Sequence, residues 1–388
     1  MLAVGIEAQF AGTLAVYAPM FLIPQLHLRD GVGLAAATLV AAAPRFGSLL
    51  AIFGWGVLVD RFGERRVLAA GFALTVLGWL VALAAETVPE LGAALVVVGL
   101  GASCVNSASG RVVAFWFPPR RRGLAMGIRQ GSQPLGIAAA AAVVPALAAA
   151  HGTRAALAVP AAVCLLTAVL CAVAVVDPPR AAAGDDTVRS SPANPYRRDR
   201  SLPRLHLSSA MMMVPQIAIW TFAVLWLIET WSWSPARAGG LVAGCQVAGA
   251  VVRASAGAWS DRVGSRLRPM RFVAVASAVV MAALGLLGET ELGIGLLVAA
   301  SLVTLADNGL GVTAVAEAGG DRWGGRAIGV HSTGQLVVSS MAPSALEVVL
   351  RTGGYGWMFG LVAVLPLAAF WTLPIASETA GWGPRSVP

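Results

Sequence analysis

Apolar residues run along this chain in blocks of about twenty, separated by short polar connections. The blocks fall at 2–24, 34–57, 67–85, 91–116, 123–149, 155–176, 207–229, 236–259, 271–288, 292–316, 327–349 and 356–376. A helix needs about 20 apolar residues to cross a hydrocarbon core, so each block predicts one membrane span. The expectation is an all-α membrane protein with twelve transmembrane helices. The connection from Glu86 to Glu90 is short, as adjacent antiparallel helices require. The first block lacks the basic opening of a secretory leader and runs to Pro24 without a small-residue cleavage pattern, so it reads as the first span.

One connection differs from the others. Asp177 to His206 is rich in Pro, Arg, Asp and Ser and is too polar to fold alone. It reads as a linker over 177–206, dividing a six-helix unit at 1–176 from another at 207–388.

Composition narrows the chemistry. Hydrophobic residues make up 57% and charged residues 12%, with a mean hydropathy of +0.77; soluble chains carry about 25% charged residues. All 27 basic residues are Arg. A phosphate-binding loop and a pyridoxal Schiff base both need Lys, so neither is encoded here. Cys104, Cys164, Cys171 and Cys245 lie inside apolar blocks, and His27, His151, His206 and His331 are scattered, so no metal centre and no cofactor are expected. No cluster of nucleophile, acid and base suits an enzyme.

The Arg residues set an orientation. They gather in the even-numbered connections as Arg61, Arg65 and Arg66, then Arg120 to Arg122, then across the linker, then Arg262, Arg266, Arg268 and Arg271, then Arg322 and Arg326, with Arg385 near the end. The odd-numbered connections hold only Arg29, Arg154, Arg237 and Arg351. Positive residues stay on the cytoplasmic side, so both termini and the linker are expected there, in a cell inner membrane. The net charge of +8 is then a topology signal beside anionic lipid and does not point to nucleic acid.

The chain also repeats itself. Gly56, Asp60, Arg61, Gly63 and Arg65 recur at an offset of 201 as Gly257, Asp261, Arg262, Gly264 and Arg266. Leu91, Leu95 and Gly110 recur as Leu292, Leu296 and Gly311, and one residue further on Ala125, Gly127 and Gln133 recur as Ala327, Gly329 and Gln335. Two homologous bundles follow from this register, with a substrate site between them.

The segment Gly56 to Arg66 resembles the signature that follows the second span in the major facilitator superfamily, and Gly257 to Arg266 resembles its second copy. The resemblance covers essentially the whole chain. It implies two pseudo-symmetric six-helix bundles, alternating access, and a gating latch formed by Asp60, Arg61, Gly63, Arg65, Asp261, Arg262 and Gly264. Glu64 stands where the signature usually has a basic residue. The tight Gly turn lets a carboxylate reach a helix N-terminus, whose dipole favours anions.

Ionisable groups within spans are functional candidates by default. Arg45, Arg111, Arg129 and Arg253 lie in spans two, four, five and eight. Arg111 is near enough to a membrane surface to snorkel and reads as structural. Deep carboxylates are few, with Asp307 the clearest, so the interior is expected to be electropositive and to suit an anion. The expected substrate site is Arg45, Arg129 and Arg253, with Gln133, His331 and Gln335 as polar neighbours. Asp307 and His331 are the candidates for proton coupling, and an anion exchanger would need neither. The surroundings of Arg253 resemble span eight of the nitrate/nitrite porters, although Ile52 replaces the expected span-two Arg and the nitrate signatures of spans five and eleven are missing. The expected function is thus secondary transport of a small anion by a monomer, with protons or a counter-anion as partner. A drug exporter of the same superfamily is the alternative, and a transporter-like sensor is a further one.

Overall fold

The computed structural model describes residues 1–177, 194–198 and 200–378. The middle of the expected linker, 178–193 with Arg180 and Arg189, and Arg385 lie outside the described residues. All regular structure among the described residues is helical. The principal helices are α1 (Leu2–Tyr17), α2 (Leu34–Phe62), α3 (Glu64–Ala84), α4 (Val88–Ala102), α5 (Cys104–Trp116), α6 (Pro119–Ala174), α7 (Ser201–Trp231), α8 (Pro235–Val263), α9 (Leu267–Leu287), α10 (Gly293–Val303), α11 (Asp307–Val362) and α12 (Val364–Thr372). Helix is the expected answer: in lipid, every backbone N–H and C=O must be satisfied within its own segment.

Ten helical stretches among the described residues are long and apolar enough to cross a membrane. Two of them carry 56 residues, and within these Gly152 (φ 83°) and Gly354 (φ 76°) break the helix with a conformation that residues bearing a Cβ rarely adopt. α4 and α5 belong to one stretch, Val88–Trp116, interrupted at Ser103; α10 and the start of α11 are likewise interrupted, just before Asp307.

The sequence reading placed most helices to within a few residues. α2 runs on to Phe62 and takes in Asp60 and Arg61, which the block 34–57 left in a connection. α7 begins at Ser201, so residues 201–206, expected in the linker, are helical, and Pro195–Arg198 forms a helical turn. At two helix starts a side chain caps the backbone. Thr87 and Glu90 exchange bonds as a capping box at the head of α4, and the Ser234 hydroxyl accepts from Arg237 N–H at the head of α8.

Contacts group the chain into two units: 1–116 with 132–189 and 321–332, and 117–131 with 190–320 and 333–388. Each unit therefore includes a short segment from the other half of the sequence. The first unit packs around Leu68, Phe72, Trp79 and Leu95. The second packs around Trp226, Met281, Leu284 and Phe359, with Trp226 edge-on to Phe359. Large side chains such as Leu166, Val173, Phe272 and Leu286 point outward, as lipid requires, while small residues line the helix contacts. A Cβ on Gly99 would strike the backbone of Pro44, so α2 and α4 touch at the main chain. Ser48, one turn on from Pro44, donates its hydroxyl to the Pro44 carbonyl at 2.9 Å.

Candidate functional site

Two carboxylates organise the chemistry, one in each unit. Gly63 ends α2 at φ 91° and Gly264 ends α8 at φ 67°, so both helices stop sharply just after their Asp-Arg pair. Asp60 accepts from the backbone N–H of Gly325 (2.8 Å) and Arg326 (2.9 Å). Asp261 accepts from the backbone N–H of Gly123 (2.9 Å) and Leu124 (2.8 Å). Both donor pairs lie in the second turn of a helical segment, after Pro119 in one case and after the positive-φ Gly320 in the other. N–H groups early in a helix carry the positive end of its dipole, so they bind anions.

Charged partners surround each carboxylate. Arg111 donates to Asp60 at 2.8 Å and to Glu64, and Glu64 is fully buried. Arg111 does not snorkel: it is 3% exposed, because two carboxylates hold its guanidinium inside. In the second unit Arg266 pairs with Asp261 and Glu317, and Arg122 pairs with the same Glu317 at 3.1 Å. Burial works against the Arg266 charge, yet Glu317 and Asp261 beside it raise its pKa above the ordinary Arg value.

A second layer of acids fixes the loops. Asp177 accepts from Arg65 N–H at 2.7 Å, while Arg65 Nε donates to the Ala172 carbonyl. Glu378 accepts from Arg266 N–H and from the Ser265 hydroxyl at 2.5 Å. Asp177 and Glu378 stand 201 residues apart, as do Arg65 and Arg266. The sequence carried this signal, although it singled out neither acid. Of the expected latch residues, Arg61 and Arg262 are exposed, with the Arg61 guanidinium over the Phe62 ring.

The expected substrate residues divide between the units. Arg129 and Arg253 come together in the second unit around one residue, Gln130. Arg129 Nη1 donates to Gln130 Oε1 at 2.8 Å, and Arg253 Nη1 donates to the Gln130 carbonyl at 2.7 Å. Each of these two Arg residues is 1% exposed. Among the described residues, Arg253 Nε and Nη2 have no hydrogen-bond partner. Asp307 and Gln335 belong to the same unit; Asp307 is 3% exposed and its Oδ1 has no hydrogen-bond partner among the described residues. Gly309, half a turn beyond Asp307, lies against Gly127, two residues before Arg129. Arg45, Gln133 and His331 belong to the first unit, with Arg45 lying 4.6 Å over the Tyr17 ring and His331 buried. Gln130 was missed because its backbone carbonyl does the work, and no residue-type signal reveals that.

Apolar helices packed on small residues, with paired Asp-Arg turns and buried guanidinium groups, describe a multi-pass membrane transporter. The profile of the Major Facilitator Superfamily matches residues 8–343, and the chain belongs to that superfamily, whose members are transporters and not enzymes. An uncharacterized MFS-type transporter of Mycobacterium tuberculosis, Rv2994, is 41% identical over 357 residues, covering 92% of this chain and 80% of that protein. The oxalate:formate antiporter of Oxalobacter formigenes is 34% identical over 84 residues, 22% of this chain and 20% of that protein. The crystal structure of the E. coli fucose:proton symporter matches with a TM-score of 0.75 at 14% identity, over 96% of this chain and 98% of that one.

Proposed function

We propose that this transporter carries a small anion by alternating access. The observation that carries the reading is Arg253: a guanidinium 1% exposed, with Nε and Nη2 unpartnered among the described residues and Arg129 next in sequence to Gln130, whose carbonyl accepts from its Nη1. Charges are not kept inside a membrane protein without a partner in at least one state, and an anion supplies that partner. Among the described residues, buried polar atoms without a hydrogen-bond partner are also more frequent in the second unit (Ser209, Gln216, Trp231, Gln246, Arg253, Ser277 and Asp307) than in the first (Glu64 and Ser107). This favours substrate recognition by the second unit.

In this reading Gly152 and Gly354 are turns between spans, which makes twelve spans in two six-helix bundles. Arg placement puts both termini and the linker on the cytoplasmic side. Arg129 and Arg253 bind the substrate, with Arg45, Gln133, His331 and Gln335 contributing as access alternates. The Asp60 and Asp261 clusters are the latches that close one side. Asp307, buried beside a helix interruption, is the candidate for proton coupling, with His331 second. The match of one segment to an oxalate:formate antiporter also favours an anion.

The test is transport by the purified monomer in liposomes. Anion uptake that Arg253→Ala abolishes, while Arg66→Ala, on an exposed residue, retains it, supports the reading. Efflux of lipophilic cations, unchanged in Arg253→Ala, replaces it with the drug-exporter alternative.

A further inference from the structure

We infer that the ends of α7, α9 and α12 form a binding site for an anionic phospholipid, whose phosphate Arg204 and Arg271 receive. The site lies wholly in the second unit and does not depend on the substrate reading above.

α12 ends at Thr372, and two Arg residues from neighbouring helices close it. Arg204, in the first turn of α7, donates Nε to the Thr372 carbonyl at 3.0 Å and Nη2 to the Trp371 carbonyl at 3.4 Å. Arg271, early in α9, donates Nε to the Phe370 carbonyl at 3.1 Å and lies 4.0 Å over the Phe370 ring. The acceptors are three consecutive residues, so both guanidinium groups sit at one turn of one helix. The Ser208 and Thr372 hydroxyls, 2.8 Å apart, tie α7 to the same turn.

The charge there does not balance. Carbonyls at a helix end carry about half a negative charge, and two guanidinium groups bring two positive ones. Among the described residues neither Arg forms an ion pair with an acid. Glu378, at the head of α9, is turned to the Arg266 and Leu267 N–H groups and the Ser265 hydroxyl. A guanidinium has five N–H bonds, and these contacts engage two in Arg204 and one in Arg271. Both therefore keep donors for a further oxygen.

An apolar surface leads away from the pair. Phe272, Val275 and Val279 are exposed along α9, and Val364, Leu367 and Trp371 along α12, which packs on it. Spacings of three and four put each set on one helix face. One set begins next to Arg271 and the other ends next to Thr372, so both stripes start at the charged turn. Further along, the two helices meet at the main chain, where Gly285 lies against Gly356 and Gly360.

The first half of the chain lacks this arrangement. The offset of 201 that relates Arg65 to Arg266 and Asp177 to Glu378 places Ala70 at Arg271, and Val169 and Leu170 at Phe370 and Trp371. A feature needed only to build a bundle would recur in both halves, as the Asp-Arg turns do. A phosphodiester fits what is left: it has two unesterified oxygens, one for each guanidinium, and acyl chains for the stripes. Basic pockets between helices at a membrane face suit such headgroups. A choline headgroup brings its own cation to a place that already holds two.

The experiment follows the thermal midpoint of the purified full chain in detergent as phosphatidylglycerol, phosphatidylcholine, glycerol phosphate or inorganic phosphate is added. Phosphatidylglycerol is expected to stabilise wild type at a concentration about tenfold below phosphatidylcholine, with no response to either free phosphate in that range. Arg204→Gln and Arg271→Gln are each expected to raise the phosphatidylglycerol concentration required by about fivefold, the worth of one Arg beside an anionic headgroup. Arg66→Gln, on an exposed residue of the first unit, is expected to leave it unchanged. Each test substitution also removes a cap from α12, so a second measurement uses wild type alone. Phosphatidylglycerol with a photoactivatable acyl chain is expected to label 272–286 and 361–371 above the rest of the chain, and unlabelled phosphatidylglycerol, but not phosphatidylcholine, to suppress that labelling. Equal stabilisation by phosphatidylcholine, an unchanged response in folded Arg204→Gln and Arg271→Gln, or labelling spread evenly over the outward-facing helices overturns the inference. Stabilisation by the free phosphates at the concentrations that phosphatidylglycerol needs also overturns it, and gives the pair to a soluble phosphate.

Discussion

Asp60 and Asp261 make the same pair of bonds 201 residues apart: each accepts the N–H groups of two consecutive residues in a helical second turn. The donors Gly325 and Arg326 stand 202 residues after Gly123 and Leu124, so the repeat holds for both partners of the interaction. A carboxylate suits this place for two reasons. It has an oxygen for each N–H, and its charge meets the positive end of the helix dipole.

Replacing either acid by its amide tests that account. Asn keeps the shape, but it has one acceptor oxygen and turns an NH2 toward the second backbone N–H. Each charge-assisted bond lost is worth about 1.5–3 kcal/mol. Asp60→Asn is expected to lower uptake in liposomes at least fivefold and to lower the thermal midpoint. Asp261→Asn is expected to show the same direction, since Arg266 keeps Glu317 as Arg111 keeps Glu64. Wild-type uptake by both variants would remove the latch from the mechanism.

Arg111 is predicted to be more sensitive than its exposed neighbours. It compensates Asp60 and Glu64, both nearly inaccessible to water. Removing one partner of a buried pair leaves an uncompensated charge and costs about 3–5 kcal/mol. Arg111→Leu is therefore expected to destabilise strongly, whereas Arg66→Leu, on an exposed residue, is expected to be nearly neutral. Adding Glu64→Leu to Arg111→Leu should recover part of the loss, with a coupling of about 1–3 kcal/mol in a double-mutant cycle. Strictly additive effects in denaturation measurements would mean that the pair does not act as a unit.

The all-helical membrane fold was readable because membrane insertion writes itself into composition as apolar blocks and polar gaps. Asp60 and Asp261 were readable because a repeat marks the same residues twice. The ion pairs were less so. Arg111 sits in an apolar block, and nothing local says whether it reaches out to water or inward to Asp60 and Glu64. The end of α2 was underestimated for a related reason. Polar residues normally end an apolar block, but here Asp60 is bonded well enough for the helix to continue through it to Phe62. Gln130 lay beyond any such signal, because the atom that meets Arg253 is a backbone oxygen every residue has.

Glu378 yields a prediction about the loop that carries the second latch. Its carboxylate takes the Arg266 and Leu267 N–H groups and the Ser265 hydroxyl at the head of α9. Glu378→Ala is expected to loosen residues 264–267 and speed hydrogen exchange there, with a thermal midpoint below wild type. Asp177→Ala is expected to do the same at Arg65. If exchange rises equally throughout the chain in either variant, the acid supports general stability and does not position its loop.

Close approach of main chains gives the last prediction. The Asp261 bonds require α6 and α8 to meet, and they meet at glycine: a Cβ on Gly257 would strike the Gly123 carbonyl, and one on Gly123 would strike Gly257 and Ser260. Gly56 and Gly325 make the equivalent contact in the first unit. Gly257→Val should push the helices apart, withdraw the Gly123 and Leu124 N–H groups from Asp261, and abolish uptake. Gly295→Ala is the control, since a Cβ there meets open space and Ala improves helix propensity by up to about 1 kcal/mol. Uptake lost in Gly257→Val with a monodisperse elution profile, and retained in Gly295→Ala, assigns the effect to the contact and not to glycine flexibility. Retained uptake in Gly257→Val would show that the Asp261 latch forms without main-chain contact.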